Sequence, residues 1–208
     1  MLKLFYNTGS IALASHIALE ETGVNYEGIK LNSAILEHTL PEYLAINPKG
    51  RVPSLVTEHG ILTETPAILL YIAQRFGSDV FPPPADIFEL AQLQSFNSYL
   101  CSTAHVNHAH RMRGKRWVEE DDSHSIKAMQ AKVTSNMQDV FALIEAEMFK
   151  GPWVQGDDYS IADIYLFSIT QWMEGDNVDI NDFSVLKSHR AAMLARPAVQ
   201  YIVDKHAE

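Results

Sequence analysis

The stretch Phe81-Pro82-Pro83-Pro84 constrains this chain more than any other. Consecutive prolines fix φ, remove backbone donors and hold the chain extended, so neither a helix nor a paired strand runs through them. The patterning differs on the two sides. Before the prolines, short apolar runs alternate with helical periodicity; after them only helical periodicity remains. Residues 1–78 therefore read as a mixed α/β domain, 79–86 as a proline-rich linker and 87–208 as an all-helical domain.

The N-terminal part spells β-α-β and then β-β-α. Leu2 to Tyr6 is a short apolar strand, and Ser10 to Thr22 has helical spacing that stops at Gly23. Tyr26 to Leu31 reads as a second strand, parallel to the first because a helix intervenes. A loosely helical stretch from Glu37 to Ala45 stops at Asn47-Pro48-Lys49-Gly50. Ser54 to Thr57 and Ile61-Leu62 read as strands joined at His59-Gly60. Thr65-Pro66 opens a helix to Gln74, with threonine at the N-cap and proline in the first turn. Beyond the linker, Ile87 to Arg113 reads as one long helix, followed by the charged break RGKRWVEEDDSH. A helix from Ile126 to Met148 closes at Gly151-Pro152, another starts at Ser160, and Pro197 opens the last.

Composition narrows the partners. A formal charge of −10 and the lack of a Lys/Arg stripe argue against nucleic acid and against an anionic membrane surface. No apolar run approaches the roughly 18 residues of a membrane span. The chain enters strand-like sequence at once, without a signal-peptide pattern. Its single cysteine, Cys101, excludes an internal disulfide and fits a reducing cytoplasm.

Several short motifs carry a structural and a functional reading side by side. In YNTGSIALASH a strand ends, the chain turns and a helix begins, with Tyr6, Asn7, Thr8 and Ser10 on offer; Ser10 either caps that helix or presents its hydroxyl to a ligand. In VPSL, Pro53 either starts an edge strand, or a cis Val52-Pro53 bond turns the Val52 backbone toward a peptide ligand. In TETPAI, Glu64 and Thr65 either belong to an ordinary helix start or grip the ammonium and carboxylate of an amino acid. SIAD is a capping box, Ser160 with Asp163, and reads as purely structural. His105 and His108 share a helix face while His110 points elsewhere, which argues against a metal site.

Together, KLFYNTGSIALASH, NPKGRVPSL, LTETPAILLYIA, the proline linker and SIADIYLF resemble a cytosolic glutathione transferase of bacterial, beta-like type. The resemblance covers essentially the whole chain. It implies a thioredoxin-like N-terminal domain, an all-helical C-terminal domain and a homodimer with its site in the interdomain cleft. It implies glutathione as cosubstrate: Val52 and Pro53 at the cysteinyl part, and Glu64 and Thr65 at the γ-glutamyl end. His105 matches a histidine that lines the beta-type site, and Tyr99, His108 and Met112 join it as the expected pocket for a small hydrophobic electrophile. The implied chemistry is attack by the glutathione thiolate, in conjugation and detoxification. The alternatives are a glutathione-dependent isomerase, reductase or ether-cleaving enzyme, and a non-catalytic ligand-binding protein on the same scaffold.

The chain departs from that pattern in places. Ile11 stands where the beta type has a cysteine, Ala12 follows where it has a serine, and NSAILEH lacks the lysine that reaches glutathione. Val106 replaces a common lysine. Ser10, however, stands where the serine-type classes keep their catalytic hydroxyl, and Tyr6 lies near the tyrosine of the tyrosine-type classes. Ser10 is therefore the first candidate donor to the thiolate, Tyr6 the second, and the backbone N–H groups of residues 10 and 11 the third.

Overall fold

Leu2, Leu4 and Tyr6 alternate with half-exposed neighbours along strand β1 (Leu2–Tyr6), as a strand covered tightly on one face requires. In the computed structural model, which describes residues 1–207, helix α1 (Ala12–Thr22) follows and stops at Gly23, whose φ of 63° is the left-handed conformation glycine adopts freely. Strand β2 (Tyr26–Lys30) pairs parallel to β1. The short helix α2 (Pro41–Leu44), the hairpin β3 (Ser54–Thr57) and β4 (Gly60–Thr63), and helix α3 (Thr65–Phe76) complete this part. The sheet order is β2-β1-β3-β4, with β3 antiparallel to both β1 and β4. That is the expected β-α-β, β-β-α frame.

The rest is helical: α4 (Ile87–Tyr99), α5 (His105–Arg113), α6 (Ser123–Leu143), α7 (Ile161–Thr170), α8 (Ser184–Leu194) and α9 (Pro197–Ala207). Three features differ from the sequence expectation. The long helix from Ile87 to Arg113 is interrupted by a π turn, Leu100–Ala104, a local widening frequent at functional sites. Helix α8 was not anticipated, because no cap side chain marks its start at Phe183. The stretch from Glu37 to Ala45 is a 3-10 turn (Glu37–Thr39) followed by α2 rather than one helix.

Helix α7 forms the centre of the helical domain, with every residue from Ile161 to Thr170 buried. Its N-terminus carries the anticipated capping box between Ser160 and Asp163. Helix α1 joins the two domains, packing against α3, α7 and α9. Arg196 donates two bonds to the Glu21 carboxylate (2.7 and 2.8 Å) and lies over the Tyr159 ring. Trp172 donates from Nε1 to the Gly9 carbonyl at 3.1 Å. No helix among the described residues is long and apolar enough to cross a membrane.

Candidate functional site

A cleft of about 430 Å³ lies between the β1–α1 turn, the loop before β3, the start of α3 and the wall formed by α5 and Trp172. Its geometry begins with a buried polar network. Tyr43 donates to the Arg51 carbonyl at 2.6 Å, and Asn47 donates to the same carbonyl at 2.7 Å and to Ser54 Oγ at 3.1 Å. The Asn47 side-chain oxygen also accepts the Lys49 N–H (3.1 Å), and the Asn47 main-chain carbonyl accepts the Gly50 N–H (2.9 Å). NPKGRVPSL is thus tied at both ends, which fixes the backbone of Arg51, Val52 and Pro53 along the cleft. The Val52–Pro53 bond is cis.

The start of α3 is built for charge. Glu64 has φ of 71°, a conformation that residues other than glycine rarely adopt. Pro66 lacks an N–H, and the Ile68 N–H is already bonded to the Glu64 carbonyl (3.0 Å). Thr65 and Ala67 are left as first-turn N–H donors, beside the Thr65 hydroxyl, at the positive end of the helix. The Glu64 carboxylate is paired with Lys49 Nζ, which also donates to Thr63 Oγ1 at 2.7 Å. A ligand ammonium at Glu64 therefore shares this carboxylate with Lys49.

Ser10 lines the cleft, but its hydroxyl has local partners. It donates to the Asn7 carbonyl at 2.6 Å and accepts the Ala12 N–H at 3.3 Å. It therefore holds the turn together and satisfies one orphan donor of α1. A serine hydroxyl has one proton, so a thiolate in the cleft competes with the Asn7 carbonyl for it.

Two of the anticipated residues lie elsewhere. Tyr6 does not line the cleft. Its ring packs against His16 (centroids 4.6 Å apart) and stacks on His206 (4.8 Å), because it has the same strand parity as Leu2 and Leu4 and faces the helix-covered side of β1. Tyr99 is also absent from the lining; it packs half-buried against the core.

The remaining pocket residues do converge. Cys101, His105, His108 and Met112 line the cleft, spaced so that they share one helix face. His108 Nδ1 meets the buried Asp176 carboxylate at 2.8 Å, and its ring stacks on Trp172 at 4.0 Å. Burial, aided by His108 and the guanidiniums of Arg116 and Arg51, lowers His105 to about 4, so it is neutral at pH 7. The lining also includes Tyr165, a residue the sequence analysis did not single out; its buried hydroxyl has no oxygen or nitrogen partner. Arg51, Arg111, Arg113 and Arg116 also line the cleft. Arg111, Arg113 and Arg116 are neighbours in sequence, the last two in the charged break RGKRWVEEDDSH, whereas Arg51 joins them only through the tertiary fold.

Comparison with known proteins points to one family. The family profile described as glutathione S-transferase, N-terminal domain, matches residues 1–74, and the profile for the C-terminal domain matches residues 106–197. Glutathione S-transferase GstA of Escherichia coli O157:H7 is 28% identical over 203 residues, covering 96% of each chain. A glutathione transferase homologue from Sulfitobacter, solved with bound glutathione, is 41% identical and superposes with a TM-score of 0.92 over 99% of this chain and 98% of its own. A sphingomonad glutathione S-transferase complexed with glutathione is 29% identical, with a TM-score of 0.83 over 99% of this chain and 98% of its own.

Proposed function

This chain belongs to the glutathione transferase family, and from that premise we propose that it ionises the glutathione thiol at the start of α1 and directs the thiolate onto a small electrophile held against the α5 wall. The observation that carries the reading is convergence: the Val52 backbone, the Glu64–Thr65 charge site and the Ser10 turn open onto one cleft. An extended γ-glutamyl peptide pairs its cysteinyl backbone with Val52, as an added strand does. Its α-carboxylate meets the Thr65 hydroxyl and the first-turn donors of α3, and its ammonium meets Glu64.

The thiol then lies toward the N-terminus of α1. An ordinary thiol has a pKa of about 8.5, so only a few per cent is ionised at pH 7. Lowering it by about two units requires about 2.7 kcal/mol of preference for the anion. A charge-assisted bond from Ser10 and the positive end of α1 are together of that size. The sulfur attacks the electrophilic carbon, a carbon–sulfur bond forms, and the leaving group departs with the electron pair. Ile11, Val106, Met112 and Trp172 supply apolar surface for the acceptor. Mixed-disulfide chemistry at the α1 turn has no protein thiol to use, because residue 11 is isoleucine.

Calorimetry with glutathione tests the binding half. Wild-type protein is expected to bind it, and Thr65→Val, which removes one hydroxyl and keeps the shape, is expected to weaken binding about tenfold or more, the value of one bond to a charged group. The absence of heat at millimolar glutathione with folded wild-type protein overturns the reading.

A further inference from the structure

Four arginines line the cleft, and only one has a carboxylate partner. Arg111 shares Asp176 with His108, its Nε 3.4 Å from Oδ1. Arg51, Arg113 and Arg116 form no ion pair among the described residues. Glu64 is the sole acidic residue lining the cleft among the described residues, and Lys49 already holds it. The chain has 26 acidic residues against 16 Lys and Arg, yet even Glu119 and Glu120, which share a neighbouring depression with Arg116, form no ion pair with it, and Glu120 pairs with Lys115 instead.

Two of the three bear on the third. Burial, and then Arg51 and Arg113, pull Arg116 below its ordinary value. Burial, and then Arg113 and Arg116, do the same to His38, which lines the cleft and has a buried Nδ1 without a hydrogen-bond partner. Arginine stays charged in proteins, so this arrangement is a standing like-charge repulsion that an oxyanion relieves. Guanidinium forks match the geometry of such a group, and a cationic cleft on an acidic protein concentrates anions at its mouth. Beside the trio stand Met112 and Trp117, both exposed at the cleft (66% and 44%).

We propose that Arg51, Arg113 and Arg116 form an oxyanion subsite for the acceptor, so that the favoured electrophile has an apolar or aromatic body and carries a carboxylate or similar group. This rests on the transferase reading above. Glutathione brings one other oxyanion to the cleft, its glycyl carboxylate. That single charge leaves most of the trio unneutralised, so the acceptor is the source we assign.

The test uses a chloronitrobenzoate and its methyl ester as acceptors, and glutathione and its glycyl ethyl ester as thiols. In the reaction a carbon–sulfur bond forms, the carbon–chlorine bond breaks, chloride leaves and the thiol proton passes to solvent. Wild-type kcat/KM is expected to favour the acid over the methyl ester by about tenfold or more, and the Arg113→Gln/Arg116→Gln double variant to lose most of that ratio. Equal use of acid and methyl ester by the wild type overturns the proposal. So does a double variant that keeps the acid preference but no longer distinguishes glutathione from its ethyl ester, which assigns the trio to the glycyl carboxylate. Calorimetry of glutathione alone separates the two levels: a wild type that binds it without an acid preference loses only this inference. If glutathione fails to bind, titration of the chloronitrobenzoate by itself decides, with binding lost in the double variant supporting the subsite and no binding to wild type ending it.

Discussion

Asp163→Ala is expected to remove about 3–5 kcal/mol of folding stability, a large share of what a domain has in total. The carboxylate is fully buried and accepts from the Val154 N–H (2.8 Å), the Ser160 N–H (2.8 Å), the Ser160 hydroxyl (3.2 Å) and His189 Nε2 (3.2 Å). Alanine leaves those donors buried without an acceptor and leaves His189, itself buried, with neither ring nitrogen bonded. The capping box alone is worth about 1 kcal/mol; the remainder comes from Val154 and His189, which tie the preceding loop and α8 to the start of α7. Denaturant midpoints measure the loss. A change below about 1 kcal/mol would show that Asp163 is only a cap. Glutathione affinity of the folded fraction is expected to match wild type, because Asp163 does not line the cleft.

Acid is expected to loosen the α1–α9 contact well before carboxylates titrate. His16 Nδ1 and His206 Nε2 lie 2.9 Å apart, with the Tyr6 ring against both. Burial, then His206 and Lys205, lowers His16 to about 3; burial, then Lys30 and Lys205, lowers His206 to about 4. Both imidazoles are thus neutral in the folded chain, whereas in the unfolded chain they take up protons near pH 6.5. Between those values the unfolded state binds more protons, so stability is fully present above about pH 6.5 and falls as pH drops toward 4. At pH 5 each imidazole costs about 2 kcal/mol, and the pair about 3–4 kcal/mol. Urea midpoints at pH 7 and pH 5 test this, with His206→Phe expected to flatten the dependence. Equal pH sensitivity in His206→Phe and wild type would assign the acid response to other groups.

What was legible in the sequence is what local chemistry determines. SIAD writes its own cap, TETPAI its helix start, and VPSL the proline at which β3 begins. The strands followed from alternation, which also contains the answer for Tyr6: a residue two positions beyond Leu4 shares its face and turns away from the cleft. Helical spacing likewise separates Tyr99 from the stripe Cys101, His105, His108 and Met112. The π turn at Leu100–Ala104 and helix α8, which has no side-chain cap, left no local mark. Nor did the meeting of Arg51 with Arg113 and Arg116, the engagement of Ser10 by Asn7, or the sharing of Glu64 with Lys49, since each depends on groups brought together by tertiary packing or on a hydroxyl's choice of partner.

The start of α1 is expected to turn bound glutathione into a thiolate, and thiolate absorbance followed against pH tests this. For glutathione bound to the wild type, the thiol pKa is expected to fall about two units below the free value of about 8.5. Ser10→Ala is expected to return about one of those units, close to one charge-assisted hydrogen bond. A bound thiol that titrates near its ordinary pKa in the wild type would contradict the claim.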